Sequence, residues 1–141
     1  MLNVTCAIII QKDKFLVTQR DGNSDHPFQW EFPGGKIKDQ ESPEDCIKRE
    51  IMEELSIEVT ILRKMFSVTH DYGFKKIKLI PFLCSLNTRE IRLNDHHDFQ
   101  WISMDEIGNI QLCEADRLLI NLEKNRNILK EYLRKHMDNT R

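Results

Sequence analysis

The sequence predicts an α/β (α+β) fold, a sandwich in which a mixed β-sheet lies between helices. Three observations carry that expectation. The chain opens with two short apolar runs separated by a tight turn. A helix-period pattern follows in the middle, from Pro43 to Leu55, with strand signals before and after it. A second, longer helical pattern closes the chain, from Glu114 to His136. Nothing divides these elements, so one domain is expected over residues 1–141.

Val4 to Ile10 is continuously apolar rather than alternating, which predicts a strand buried on both faces. Lys12-Asp13-Lys14 is a turn, and Phe15 to Arg20 completes a hairpin. Asp21 to Gln29 is polar, contains Gly22 and Pro27, and reads as a loop. His26, Phe28 and Trp30 near its end could stack on a base or close a small core, and for Trp30 the core is favoured. Arg20, at a strand end, could meet a phosphate or a base, or simply be solvated.

Beyond the first helix, Glu58 to Thr69 has strand-like content, Asp71-Tyr72-Gly73 marks a turn, and Phe74 to Leu86 is a further strand. Pro81 within it points to a sheet edge or a bulge. Asn87 to Asp98 is a polar connector, Phe99 to Ile102 a short strand, and Ser103 to Glu106 a capped turn. Leu118, Leu122, Leu129 and Leu133 recur at helical spacing in the last element and predict one amphipathic helix.

The chemistry concentrates between Gly34 and Ile57. Ser42-Pro43-Glu44 reads as a helix start: serine caps, proline fits the first turn, and acids suit the positive end of the dipole. At about 100° per residue, Ile47, Ile51 and Leu55 form one stripe that should face a core. Glu50, Glu53 and Glu54 share the adjacent face. Like charges at this spacing cost a helix a few tenths of a kcal/mol per pair, so something must compensate them. Arg49 reaches Glu53 at i+4, which leaves the others uncompensated. A divalent cation is the natural compensation, and an all-oxygen site suits Mg²⁺ or Mn²⁺. Gly34-Gly35 permits a tight backbone turn close to metal or phosphate, and Lys36 adds a point charge for a phosphate oxygen. The plainer reading is a solvated acidic helix after an ordinary glycine turn. The joint spacing of glycines, lysine, arginine and glutamates weighs against it.

That spacing is Gly35, five residues, Glu41, seven residues, Arg49-Glu50-Ile51, one residue, Glu53-Glu54, two residues, Ile57. It resembles the box of the Nudix hydrolases, with Ser56 where the family pattern has glycine. The phrase from Trp30 to Lys36 resembles the MutT-type nucleoside triphosphate pyrophosphohydrolases. The resemblance implies a Nudix-type α/β/α sandwich and hydrolysis of a (deoxy)nucleoside triphosphate, damaged or modified (8-oxo-dGTP or a cytosine nucleotide), to the monophosphate and pyrophosphate. It implies Mg²⁺ held by Glu53 and Glu54, with the Gly35 carbonyl completing a site and Glu50 serving as ligand or base. Arg49 would orient the carboxylates and Glu41 would pair with it. Lys36 and Gly34 would lie against phosphate and Phe32 would line a base pocket. By its place before Trp101, Asp95 resembles a loop acid that several members bring to the metals. Asp116 resembles the polar residue that contacts the nucleobase. As an anion it would accept from an exocyclic amine. Other members act on ADP-ribose or dinucleoside polyphosphates, or bind nucleotide or RNA without catalysis.

Composition limits the rest. Net charge is −2 with no basic block, which argues against a nucleic-acid polymer as partner. No apolar run approaches the length of a membrane span, and no signal segment is evident. Cys6, Cys46, Cys84 and Cys113 are widely spaced and read as buried free thiols. A cytoplasmic protein, monomer or homodimer, is expected. His96 and His97 are adjacent and lack H-x-x-x-H spacing, so no zinc site is expected there. Ser56 puts the exit of the acidic helix in question, because a left-handed residue without glycine costs about 1 kcal/mol.

Overall fold

A computed structural model describes residues 1–87 and 90–139, with side chains placed through residue 134. The elements run β1 (Leu2–Gln11), β2 (Lys14–Gln19), β3 (Trp30–Glu31), β4 (Gly34–Lys36), α1 (Pro43–Leu55), β5 (Val59–Lys64), β6 (Val68–Asp71), β7 (Lys76–Leu86), β8 (Asp98–Ile102), a 3₁₀ turn (Met104–Asn109), α2 (Glu114–Asn121) and α3 (Glu123–Asn139). The eight strands make one mixed sheet. β1 is its centre. It runs parallel to β7, with Ala7 opposite Phe82, and antiparallel to β2 and β4.

The unbroken apolar run of β1 is explained by helices on both faces. Ala7 and Ile9 point to one side, where Ile47, Ile51 and Leu55 of α1 cover them. Cys6, Ile8 and Ile10 point to the other, against Leu119 of α2 and Ile128, Leu129 and Leu133 of α3. All four cysteines are buried and free. Among the described residues, no helix is long and apolar enough to cross a membrane.

Three expectations need correction. Pro81 does not mark an edge: β7 is a central strand, bonded to β1 on one side and to β5 and β6 on the other. The proline is tolerated because β5 reaches only Phe82 and β6 begins opposite Leu79, so no ladder needs its missing N–H. The Glu58–Thr69 segment is therefore two strands, joined by a strap in which the Met65 N–H donates to the Pro81 carbonyl at 2.9 Å.

The closing helix is also two helices. Only half of the expected leucine stripe is buried: Leu129 and Leu133 lie in the core, while Leu118 and Leu122 are exposed. An unbroken helix at about 100° per residue would put Ile128 opposite Leu119. The extended residue Leu122 resets the phase, so that both reach one core. Asn125, fully buried, fixes the break. Its amide donates to the carbonyls of Phe66 (2.9 Å) and Leu119 (3.1 Å), and its oxygen accepts the Phe66 N–H at 2.8 Å.

The acidic helix starts as the sequence predicts. Ser42 caps it, its hydroxyl accepting the Asp45 N–H at 3.1 Å, and Pro43 opens the first turn. Its exit is built by the 87–98 connector. Arg92 N–H donates to Leu55 O at 2.9 Å and Asn94 N–H to Glu54 O at 3.0 Å. The Asn94 amide donates to the Glu53 carbonyl. Three carbonyls that a helix end leaves open are thus satisfied by one loop. Ser56 adopts the left-handed conformation that the family glycine would take, at φ 58° and ψ 35°. The backbone path is kept at a steric cost. Replacing Ser56 with glycine should therefore raise the unfolding free energy by about 1 kcal/mol without loss of turnover, measured by denaturant titration and assay.

Candidate active site

The glycine turn is set by close packing. A Cβ on Gly34 would lie 2.0 Å from the Thr5 carbonyl oxygen, so β4 can approach β1 only as glycine. A Cβ on Gly35 would lie 2.3 Å from the Glu50 carboxyl carbon. Glu50 therefore rests directly on the turn. The Gly35 carbonyl, expected to face a metal, instead accepts the Thr5 hydroxyl at 3.2 Å and the Cys46 thiol at 3.6 Å.

Arg49 gathers the acids. Its Nε and Nη2 hold both oxygens of Glu41, at 2.7 and 2.9 Å. Nη1 meets Glu50 Oε1 at 2.9 Å and Glu53 Oε2 at 3.1 Å. Nη2 also donates to the Lys36 carbonyl at 3.2 Å. Hydrogen bonds from Arg49 and from the Lys38 backbone lower the Glu41 carboxyl to about 2. One arginine thus compensates three glutamates, more than the i+4 pairing expected from sequence. It does not reach the fourth. Burial first, then Glu31 and Glu50, push Glu54 up to about 9, against a backbone hydrogen bond from Gly34. Glu54 Oε2 is buried with no hydrogen-bond partner.

A cavity of about 480 Å³ opens between β1, the glycine turn and the start of α2. Arg20, Phe32, Gly34, Gly35, Lys36, Glu54 and Asp116, all candidate site residues from the sequence, line it. A neighbouring cavity of about 320 Å³ brings Glu54 together with Asp95, His96 and Arg20. Glu50 and Glu53 line neither; both turn toward Arg49. For that reason no three His, Cys, Asp or Glu side chains among the described residues form a ready metal cage. The donors nonetheless fit a hard divalent cation: an unpartnered buried carboxylate oxygen on Glu54, a second carboxylate seated on Gly35, and room for water or phosphate.

Arg20 is not a solvated strand end. It donates to Glu31 at 2.8 Å and to Asp25 at 2.6 Å. Asp116 is only 6% exposed, and its Oδ2 accepts the Phe32 N–H at 2.8 Å. Burial, then the charge of Glu31, raise its carboxyl to about 8. The shift favours the neutral form, which would donate as well as accept, where the sequence suggested a pure acceptor. Phe32 packs into the core against Phe15, with ring centres 5.9 Å apart, while lining the cavity floor. Trp30 packs against the same core.

Other residues complete the site: His26, which the sequence offered as a base-stacking or core residue, and Tyr72, Lys75 and Asp25, which carried no site signal. His26 stacks on Tyr72 at 4.6 Å, the Tyr72 hydroxyl accepts the Ala115 N–H at 2.9 Å, and Lys75 bridges to Asp25 at 2.7 Å. These contacts close the far rim of the cavity. Glu31 lay within the phrase that carried the resemblance but was read only as part of it. His96 was set aside because its spacing lacked a partner in sequence. In the fold its partner is Glu31, 2.8 Å away.

The α/β sandwich carries a glycine turn packed against an acidic helix, with the cavity beside them, an arrangement suited to a hydrolase of phosphoric anhydride bonds. The chain belongs to the Nudix family: residues 1–122 match the NUDIX domain. It is 35% identical over 105 residues to an 8-oxo-dGTP diphosphatase of Buchnera aphidicola, covering 74% of this chain and 79% of that one. It is 32% identical over 116 residues to the CTP pyrophosphohydrolase of Escherichia coli K12, covering 82% and 86%. The solution structure of the E. coli ORF135 protein superposes with a TM-score of 0.75 at 31% identity, covering 91% of this chain and 90% of the other. Nudix hydrolases act on small nucleotide substrates and generally use divalent metal ions.

The raised carboxyl of Asp116 has a measurable consequence. The folded state keeps a proton that the unfolded state gives up, so this group's contribution to stability is full below the ordinary carboxyl range and is lost as pH rises toward about 8. Asp116→Asn keeps the acceptor for the Phe32 N–H and removes the titration. The stability of the variant should fall less steeply with pH across that window than that of the wild type, measured by urea unfolding at several pH values. Equal slopes would contradict a protonated Asp116.

Proposed function

We propose that this chain is a cytoplasmic, single-domain Mg²⁺-dependent pyrophosphohydrolase of a (deoxy)nucleoside triphosphate, acting on 8-oxo-dGTP or a cytosine nucleotide. The observation that carries this reading is the lining of the 480 Å³ cavity. It combines Gly34, Gly35, Lys36 and Glu54, chemistry suited to a polyphosphate and its counter-ion, with Asp116 and Phe32, chemistry suited to the edge and face of a base. The names of the similar proteins from Buchnera and E. coli favour the same two nucleotides.

Glu53 and Glu54, with Glu50 and Asp95, would hold the cation, and the Gly35 carbonyl would join them only by giving up its contact with the Thr5 hydroxyl or the Cys46 thiol. Bound there, the ion supplies charge neutralisation at the phosphates and a lowered pKa for the attacking water. The chain's own residues do the remaining work. Arg49, anchored on Glu41, presents Glu50 and Glu53 in fixed orientations. Glu50, seated on Gly35, is placed to receive a proton from water where it is not a ligand. Lys36 meets a phosphate oxygen as a point charge. Arg20 is neutralised by Glu31 and Asp25 in this structure and becomes available to substrate if the Asp25 bridge opens. Asp116, holding one proton, meets the base with an acceptor or a donor.

The test is pyrophosphate release with Mg²⁺ across the four dNTPs, CTP, 8-oxo-dGTP, 5-methyl-dCTP and ADP-ribose. Strong preference for one triphosphate, lost on adding EDTA, is the expected result. Turnover of ADP-ribose alone would move the substrate, and silence throughout would favour a binding module. Glu53→Gln should lower turnover more than about a hundredfold while leaving the circular dichroism spectrum unchanged, since removing a ligand exceeds the usual cost of losing an outer partner. Turnover like wild type in that variant would sink the metal assignment.

A further inference from the structure

His96 is held beside Glu54 by the loop that caps α1. Asn94, two residues earlier, donates its N–H to the Glu54 carbonyl at 3.0 Å. The His96 side chain is only 7% exposed, and its Nε2 lies 2.8 Å from Glu31 Oε2. The other oxygen of Glu31 accepts Arg20 Nη1 at 2.8 Å. A carboxylate in these contacts only accepts, so Nε2 carries the N–H. In the neutral ring Nδ1 is then a bare lone pair.

Nδ1 has no hydrogen-bond partner and is buried. Facing it at 4.0 Å is Glu54 Oε2, also buried and also without a partner. That separation is too long for a hydrogen bond. Two ligands each about 2.1 Å from one ion lie about 3 Å apart when adjacent and about 4.2 Å apart when opposite, so a shared ion would need a small shift of either side chain. The rest of the arrangement is what a metal-bound histidine ordinarily has: its second nitrogen donates to a carboxylate, which fixes the ring and raises the basicity of the ligating atom. Asp95 lines the same 320 Å³ cavity, though it does not close a three-ligand cage with them in this structure.

We propose that His96 Nδ1 is a nitrogen ligand of a divalent cation shared with Glu54, so that this site prefers Mn²⁺ or Co²⁺ to Mg²⁺. Imidazole strengthens binding of these ions far more than of Mg²⁺, which keeps to oxygen. Glu31 is then a positioning residue: it acts through His96 and is itself held by Arg20. The inference rests on the reading that Glu54 binds a cation, and the adjacency of His96 and His97 is irrelevant to it, because the second donor comes from α1.

Pulsed electron paramagnetic resonance of the Mn²⁺-loaded protein tests this directly. The wild type should show nitrogen modulation of the electron spin echo, altered when histidine is labelled with ¹⁵N. The label leaves the chain unchanged, so the test stands even if a variant fails to fold. In His96→Gln the modulation should vanish and the Kd for Mn²⁺ should rise about tenfold or more, with a smaller change for Mg²⁺. In Glu31→Gln the modulation should persist while Mn²⁺ binds about ten- to a hundredfold more weakly. Mn²⁺ bound without nitrogen coupling, or coupling that survives in His96→Gln, would overturn the role of His96 and leave the acidic site standing. No Mn²⁺ binding at all would overturn both.

Discussion

Four glutamates and one arginine meet at the glycine turn, and the charge of Arg49 decides how they settle. It binds Glu41 through both oxygens and touches Glu50 and Glu53. Without it, like charges one turn apart on α1 would repel, and Glu50 would have no reason to lie against Gly35. The array is two short of neutral even so. Arg49 offers one positive charge to three carboxylates, and Glu54 stands apart from it in a buried position. The folded protein relieves that imbalance by favouring the neutral form of Glu54. A divalent cation relieves it better, and the family's general use of such ions follows from the same arithmetic.

Placement of Glu54 depends on how α1 ends. Ser56 holds a left-handed conformation that costs a residue with a Cβ, and the 87–98 connector offsets this by binding three terminal carbonyls. The same contacts carry Asp95 and His96 to the side of Glu54. Helix exit and site assembly are thus one structural event. The sheet supplies the other half. β1 is buried on both faces, and it fixes the glycine turn through its pairing with β4. Gly34 is required there by a backbone contact, not by a turn alone.

Much of this was legible in the sequence because it is local. The Ser42 cap, the core stripe Ile47-Ile51-Leu55 and the Glu41–Arg49 pair all lie within one stretch of fixed spacing. Arg20, Phe32, Lys36 and Asp116, singled out in the sequence, line one cavity. What failed was long-range. Pro81 looked like an edge signal because sequence cannot show that two other strands stop short of it. Leu118 and Leu122 looked like core because the break that re-phases α2 against α3 depends on Asn125 and the Phe66 backbone, far away in the chain. His96 looked idle because its partners are Glu31 and Glu54. The raised carboxyl of Asp116 could not be read from residue type, since burial is its main cause.

The central claim is that Glu54 is the carboxylate left for a cation. Thermal unfolding of wild type and Glu54→Gln, each with and without Mg²⁺, tests it most directly. Without the ion, the glutamine variant should be at least as stable as wild type, because a buried uncompensated carboxyl has been removed. Mg²⁺ should raise the Tm of wild type with increasing concentration, as linkage requires, and leave the variant unmoved. A variant that is less stable without the ion, yet equally stabilised by it, would contradict the account.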